Sequence, residues 1–285
     1  MSIEIAGRHR TFEGETAYCR HQSAETRSQM AFAVYTPPAA ANGPVPVVFW
    51  LAGLTCTEET FMIKAGAQRL AAELGIMLVA PDTSPRGLGL PGEADDWDFG
   101  TGAGFYLDAT QAPWAANYRM ASYVVEELPR AVAANFPADP ERMSIMGHSM
   151  GGHGALVLGL RNATRYRAIS AFAPIANPMD CPWGHKAFGN YLGADRAAWA
   201  SWDATDLLRS GRAGWEGPPI LVDQGRADPF LAEQLKPEAF QAACAATGTP
   251  FELYWRDGYD HGYFFISTFM ESHLRHHARA FGLTA

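Results

Sequence analysis

The sequence predicts an α/β protein. It should have a mostly parallel central sheet, an antiparallel N-terminal strand pair, and helices on both faces. Three observations carry this. Short apolar runs rich in β-branched residues alternate with segments of helical spacing along most of the chain. Those runs are apolar at consecutive positions, as in strands covered on both faces. The stretch Gly147-His148-Ser149-Met150-Gly151 lies where one such run gives way to a helix.

The elements follow in order. Residues 8–36 alternate polar and apolar and end in "MAFAVYTPP", β-formers with a proline stop, which reads as a pair of antiparallel strands. "VPVVFWLAG" (45–53) is a buried strand stopped by glycine. "AGAQRLAAELG" (65–75) is a helix with a glycine cap, and "IMLVAPD" (76–82) is a strand. Residues 118–136 carry helical spacing, with Pro129 expected to kink or divide them. "RMSIMG" (142–147) is a strand and "GGHGALVLGLRN" (151–162) a helix. "AISAFAP" (168–174), "PILVDQG" (219–225) and "FELYWRD" (251–257) are further buried strands. "FFISTFMESHLRHHARAF" (264–281) closes the chain as an amphipathic helix.

The alternation breaks between Pro174 and Pro218, a segment rich in Gly, Trp and Pro. About 175–217 therefore reads as an insertion of loops and short helices over one edge of the sheet. No second core is visible, so 1–285 reads as a single domain. With 285 residues, 48% hydrophobic and 18% charged, the chain can bury a large core.

Composition excludes several functions. Net charge is −8, and Lys and Arg are scattered without a basic run, which argues against a nucleic-acid partner. The N-terminus lacks a secretory apolar region, and no stretch approaches the length of a spanning helix, so no membrane association is expected. Cys19, Cys56, Cys181 and Cys244 are far apart, with no C-x-x-C pair. No metal and no cofactor are expected, and isolated thiols point to a reducing cytoplasm.

Gly147 to Gly151 fits G-x-S-x-G, and its strand-to-helix context is that of a nucleophile elbow, the mark of the α/β-hydrolase fold. Small residues are needed where the turn passes close to neighbouring strands, and the helix N-terminus favours an anion formed there. A serine hydroxyl needs a base, and the base needs an orienting carboxylate. His148 and His153 flank the serine. Neither can face the hydroxyl and also carry an acid from its own short segment. His148 should point away from the hydroxyl and pack beneath it.

In this fold the order is serine, acid, histidine. Downstream, "PILVDQGRADPF" offers Asp228 in the loop and Asp223 inside the apolar run. Asp228 is the better acid, because sites lie outside the carboxyl ends of the strands. Asp223 is the weaker alternative. "FELYWRDGYDHGYFF" then delivers His261 in a glycine-flanked loop as the base. His273, His276 and His277 lie on the last helix, His9 and His21 in the N-terminal hairpin, and His185 in the insertion.

The chain resembles the S-formylglutathione hydrolase (esterase D) family over nearly its whole length. The resemblance rests on "LAGLTCTEETFMIKAGAQRLAAELGI", "APDTSPRG", "WDFGTGAGFYLDAT", "NYRM", "GHSMGGHGAL", "SAFAPIANPMDCPWGHKAF", "DQGRADPFL" and "GYDHGYFFISTFMESHLRHHA". It implies a serine hydrolase that splits S-formylglutathione into glutathione and formate, as in formaldehyde detoxification, with Ser149, Asp228 and His261 as nucleophile, acid and base. The family commonly has serine after the catalytic histidine, where this chain has Gly262.

Met150, as the residue after the nucleophile, should give one oxyanion N–H. The resemblance assigns the second to Leu54. A formyl group is small, so bulky side chains should close the acyl pocket, drawn from Trp97, Phe99, Phe105, Trp183 and Phe188. Cys56 lies close to the proposed donor, and Lys186 or Lys64 could meet a carboxylate of a glutathione thioester. The resemblance implies a small-molecule substrate and a homodimer. The same residues could serve a broad short-acyl carboxylesterase or an acyltransferase, and the fold alone could also carry a non-catalytic binding protein.

Overall fold

The computed structural model describes residues 2–283. Nine strands form one sheet: β1 (Glu4–Thr11), β2 (Gly14–Gln22), β3 (Gln29–Thr36), β4 (Val45–Leu51), β5 (Met77–Pro81), β6 (Ala138–His148), β7 (Tyr166–Phe172), β8 (Ile220–Gly225) and β9 (Phe251–Arg256). Their spatial order is β1-β2-β3-β5-β4-β6-β7-β8-β9. β1, β2 and β3 pair antiparallel, and β3 is antiparallel to β5. From β5 to β9 every pairing is parallel.

The strand sequences explain these places. β4 and β5, "VPVVFWL" and "MLVAP", are buried at every residue, as strands covered on both faces must be. The N-terminal segment supplies three antiparallel strands, where alternation pointed to two. The extra one, β1, is a charged edge strand with a bulge near Gly7 and no apolar face to betray it. β9, expected as a buried strand, instead closes the other edge of the sheet and is only partly covered.

The helices are α1 (Glu58–Lys64), α2 (Gln68–Leu74), α3 (Met120–Ser122), α4 (Leu128–Asn135), α5 (Met150–Arg161), α6 (Pro182–Tyr191), α7 (Arg196–Trp199), α8 (Ala204–Arg209), α9 (Pro237–Thr247) and α10 (Tyr263–Ala280). A wider, π-helical turn at Tyr123–Glu127 joins α3 to α4 just before Pro129. Proline has no backbone N–H to donate, and the loosened turn accommodates it. Past Pro174 the chain forms α6, α7 and α8 with connecting loops. Asp203 caps α8, accepting from the Asp206 N–H (2.9 Å) and the Met179 N–H (2.9 Å). Burial raises its pKa to about 6.

Apolar side chains from β2 through α10 form one contiguous core. Within it Trp50 stacks on Phe61 with ring centroids 4.4 Å apart. Parallel pairing aligns the carboxyl ends of β4, β6, β8 and β9 on one edge of the sheet. The loops after them carry Leu54, Ser149, Asp228 and His261. Among the described residues, no helix is long and apolar enough to cross a membrane.

Candidate active site

β6 runs into α5 with Ser149 as the single residue between them. Ser149 has φ 57° and ψ −118°, a conformation that non-glycine residues seldom hold without support. That support is visible. Its N–H donates to the Phe172 carbonyl (3.0 Å), and its carbonyl accepts from the N–H groups of His153 (2.9 Å) and Ile175 (3.2 Å). The flanking glycines are steric necessities. A Cβ on Gly147 would lie 2.1 Å from the Gly151 carbonyl oxygen, and one on Gly151 would lie 1.9 Å from the Leu51 carbonyl oxygen.

Asp228 follows β8 and His261 follows β9. His261 Nδ1 lies 2.5 Å from Asp228 Oδ2. The Phe230 N–H donates to Asp228 Oδ1 (2.8 Å), and Gln224 Nε2 approaches Oδ2 at 3.4 Å. These donors leave the carboxylate aimed at the imidazole.

Asp223 is placed elsewhere. Its carboxylate meets Arg256 Nε (2.6 Å) and His273 Nε2 (3.0 Å). Ser170 Oγ then bridges His273 Nδ1 (2.9 Å) and His277 Nε2 (2.8 Å). Asp223, His273, Ser170 and His277 are all fully buried, so this cluster ties β7, β8, β9 and α10 together out of reach of substrate. Burial lowers the pKa of His273 and holds that of His277 well below the imidazole range.

The two histidines beside the serine lie against its surroundings. The His148 ring is 4.5 Å from the His261 ring and 6.2 Å from that of Tyr263. Burial, and then the neighbouring His261, push its pKa well down. The His261 backbone opposes this, and among the described residues neither ring nitrogen of His148 makes a hydrogen bond of normal geometry. His153 is fully buried, and its Nε2 donates to the Phe105 carbonyl (3.0 Å). Burial lowers its pKa to about 4.

Gly53 brings the loop after β4 onto the elbow. A Cβ there would lie 3.2 Å from Ser149 Cβ and 3.1 Å from His148 Nδ1. Among the described residues, the Leu54 N–H has no protein acceptor. Met150 opens α5, so its N–H has no acceptor within the helix. Cys56 is half-buried in the same loop, and burial raises its thiol pKa against the weaker pull of Thr60 and Tyr263.

A run of aromatic rings leads from the surface to the base. Trp97, 58% exposed, stands edge-on to Trp183 at 5.8 Å. Trp183 lies 4.8 Å from Phe230, and Phe230 lies 5.0 Å from the His261 ring. Sequence reasoning missed Phe230, whose only signal was its place two residues after Asp228. Phe99 stacks instead on Tyr191 (4.7 Å) and meets Trp114 (4.9 Å). Phe105 is fully buried between His153 and Phe188. The Lys186 ammonium is engaged by Asp98 (2.5 Å) and Asp96 (2.9 Å). Lys64 sits over the Tyr263 ring at 5.9 Å.

A groove of about 900 Å³ lies between the N-terminal strands and residues 135–137 and is lined by none of these groups. Among the described residues, no three His, Cys, Asp or Glu side chains are grouped to hold a metal ion.

Comparison with known proteins agrees with this layout. Residues 23–276 match the Esterase family model, described as "Putative esterase". S-formylglutathione hydrolase of Mus musculus is 52% identical over 282 residues, covering 98% of this chain and 99% of that protein. The protein of that name from Arabidopsis thaliana is 51% identical over 279 residues, covering 97% of each. A solved S-formylglutathione hydrolase from Agrobacterium tumefaciens matches with a TM-score of 0.94 at 48% identity, covering 97% of this chain and 99% of that one. A fluorophosphonate-binding serine hydrolase of Staphylococcus aureus, at 16% identity and a TM-score of 0.72, shares the fold.

Proposed function

The chain belongs to the S-formylglutathione hydrolase family, and from that premise we propose that it hydrolyses S-formylglutathione to glutathione and formate. The observation that carries the mechanism is the 2.5 Å pairing of Asp228 with His261 on the same edge of the sheet as a serine held at positive φ. With Nδ1 committed to Asp228, His261 has Nε2 for proton transfer. It takes the Ser149 proton as Oγ attacks the formyl carbon, and Asp228 stabilises the resulting imidazolium. The negative charge on the carbonyl oxygen is met by the N–H groups of Leu54 and Met150. The C–S bond breaks as the His261 imidazolium passes its proton to the departing sulfur, so glutathione leaves as the thiol and the imidazole is neutral again. His261 then takes a proton from water as that water attacks the formyl ester, and returns it to Ser149 Oγ as formate leaves.

In this reading the rings of Trp97, Trp183 and Phe230 form the wall along which the thiol portion lies. Trp183 is supplied by α6, within the segment 175–217 that we treat as an insertion in one domain. The four unpaired cysteines support residence in a reducing cytoplasm.

The test compares kcat/KM for S-formylglutathione, S-acetylglutathione and p-nitrophenyl acetate. A clear preference for the formyl thioester supports the assignment. Equal values on all three would instead favour a broad short-acyl esterase.

A further inference from the structure

Two successive residues, Phe105 and Tyr106, have positive φ, 50° and 49°, and neither is glycine. A consecutive pair of L-residues in this region persists only where the surroundings enforce it. Both are fully buried. The enforcing contacts come from the catalytic scaffold. His153, one turn into the nucleophile helix, holds the Phe105 carbonyl at 3.0 Å. Gly154 leaves the space that the Tyr106 ring fills, since a Cβ there would lie 2.7 Å from ring atoms. Just upstream, the Gly104 N–H donates to the Thr83 carbonyl (3.1 Å).

The strained pair delivers one hydrogen bond to the site. Tyr106 Oη donates to the Ala52 carbonyl at 2.9 Å. Burial holds the phenol well above its ordinary pKa, so it remains a donor. The next carbonyl, that of Gly53, accepts from the Cys56 N–H at 3.3 Å. Peptide units are planar and trans, so fixing a carbonyl fixes the opposed N–H on the same unit. The Ala52 and Gly53 carbonyls are thus both anchored, and the Gly53 anchor sets the direction of the Leu54 N–H.

We propose that Tyr106 is a positioning residue for the oxyanion hole. Braced by His153 and Gly154 on the nucleophile helix, its hydroxyl fixes the Ala52–Gly53 peptide, the anchored end from which the next peptide, held at the Gly53 carbonyl by Cys56, presents the Leu54 N–H to the carbonyl oxygen of the reacting thioester. The brace couples the two halves of the hole, because the helix that supplies the Met150 N–H also holds the loop that supplies the other donor. The inference rests on Leu54 being an oxyanion donor.

Tyr106→Phe keeps the ring and removes only the hydroxyl. Its kcat for S-formylglutathione should fall about tenfold with KM within about twofold, less than the loss of a whole donor. Affinity for a short alkyl boronic acid, which forms a tetrahedral adduct on the serine, should weaken by a similar factor. Gly154→Ala, which pushes the ring without touching the hydroxyl, should show the same split in folded enzyme. Unchanged kcat and boronate affinity in both variants, with Ser149→Ala inactive, overturns the brace alone. So does a fall in kcat that merely follows the folded fraction. Turnover retained by Ser149→Ala overturns the underlying reading, and the brace with it.

Discussion

His261 Nδ1 and Asp228 Oδ2 lie 2.5 Å apart, while Asp223, five residues before Asp228, is committed to Arg256 and His273. The two aspartates therefore have separable consequences. Asp228→Asn should lower kcat by about 10⁴-fold with little change in KM, because the imidazole loses its tautomer control. Asp223→Asn should leave most of kcat but strip the Arg256 charge of its buried partner, costing about 3 kcal/mol or more of stability. Steady-state kinetics and thermal melts on both variants check this. The reverse pattern would identify Asp223 as the acid.

The elbow should tolerate no side chain at Gly151. Its Cβ would sit 1.9 Å from the Leu51 carbonyl oxygen, a backbone atom of the central strand β4 that cannot swing aside. Gly151→Ala should lose about 4 kcal/mol or more, or fail to accumulate as folded protein. A variant melting with the parent would show that the elbow is looser than its geometry.

The exposed end of the aromatic run should act on binding and not on stability. Trp97→Ala should raise KM for S-formylglutathione about fivefold, the scale of one aromatic contact. It should leave the melting temperature and the KM for p-nitrophenyl acetate nearly unchanged. Lys186→Met should change KM less, since that charge already serves Asp96 and Asp98. A larger effect at Lys186 than at Trp97 would move the binding wall.

Acid should destabilise the fold over the range in which free histidines titrate. Burial lowers the pKa of His153 and of His276 to about 4, and lowers those of His148, His273 and His277 as well. Between about 6.5, where an unfolded histidine titrates, and about 4, the unfolded chain binds more protons. Stability therefore falls as pH drops through that window. Asp203 acts oppositely, because its raised pKa, about 6, makes the folded state bind the extra proton there. One aspartate offsets about one histidine, so the histidines prevail. Urea unfolding at pH 7.5, 6 and 5 should show a loss above about 1.4 kcal/mol per pH unit, more than one linked proton. A flat profile would mean that these imidazoles are not held neutral.

Much of this was legible in the sequence for physical reasons. β4 and β5 announce themselves because strands buried on both faces are apolar almost throughout. Chain order in the fold led to Asp228 and His261, which the structure brings together. α1, only seven residues long, and α9, whose stripe is made largely of alanines, carry weak helical patterns in the sequence. Phe230 and Tyr106 were also unreadable. Their contributions depend on contacts between distant loops and on positive φ at non-glycine residues, neither of which leaves a pattern in composition or spacing. Phe99 and Phe105 looked like pocket walls because aromatic residues in a motif do not reveal which way they face, and they pack into buried clusters instead.

The most direct measurement is steady-state hydrolysis of S-formylglutathione by Ser149→Ala. With the melting temperature unchanged, kcat should fall by about 10⁴-fold or more, as when a serine nucleophile is removed from an intact triad. A folded Ser149→Ala variant within about tenfold of the parent would contradict nucleophilic attack by Ser149.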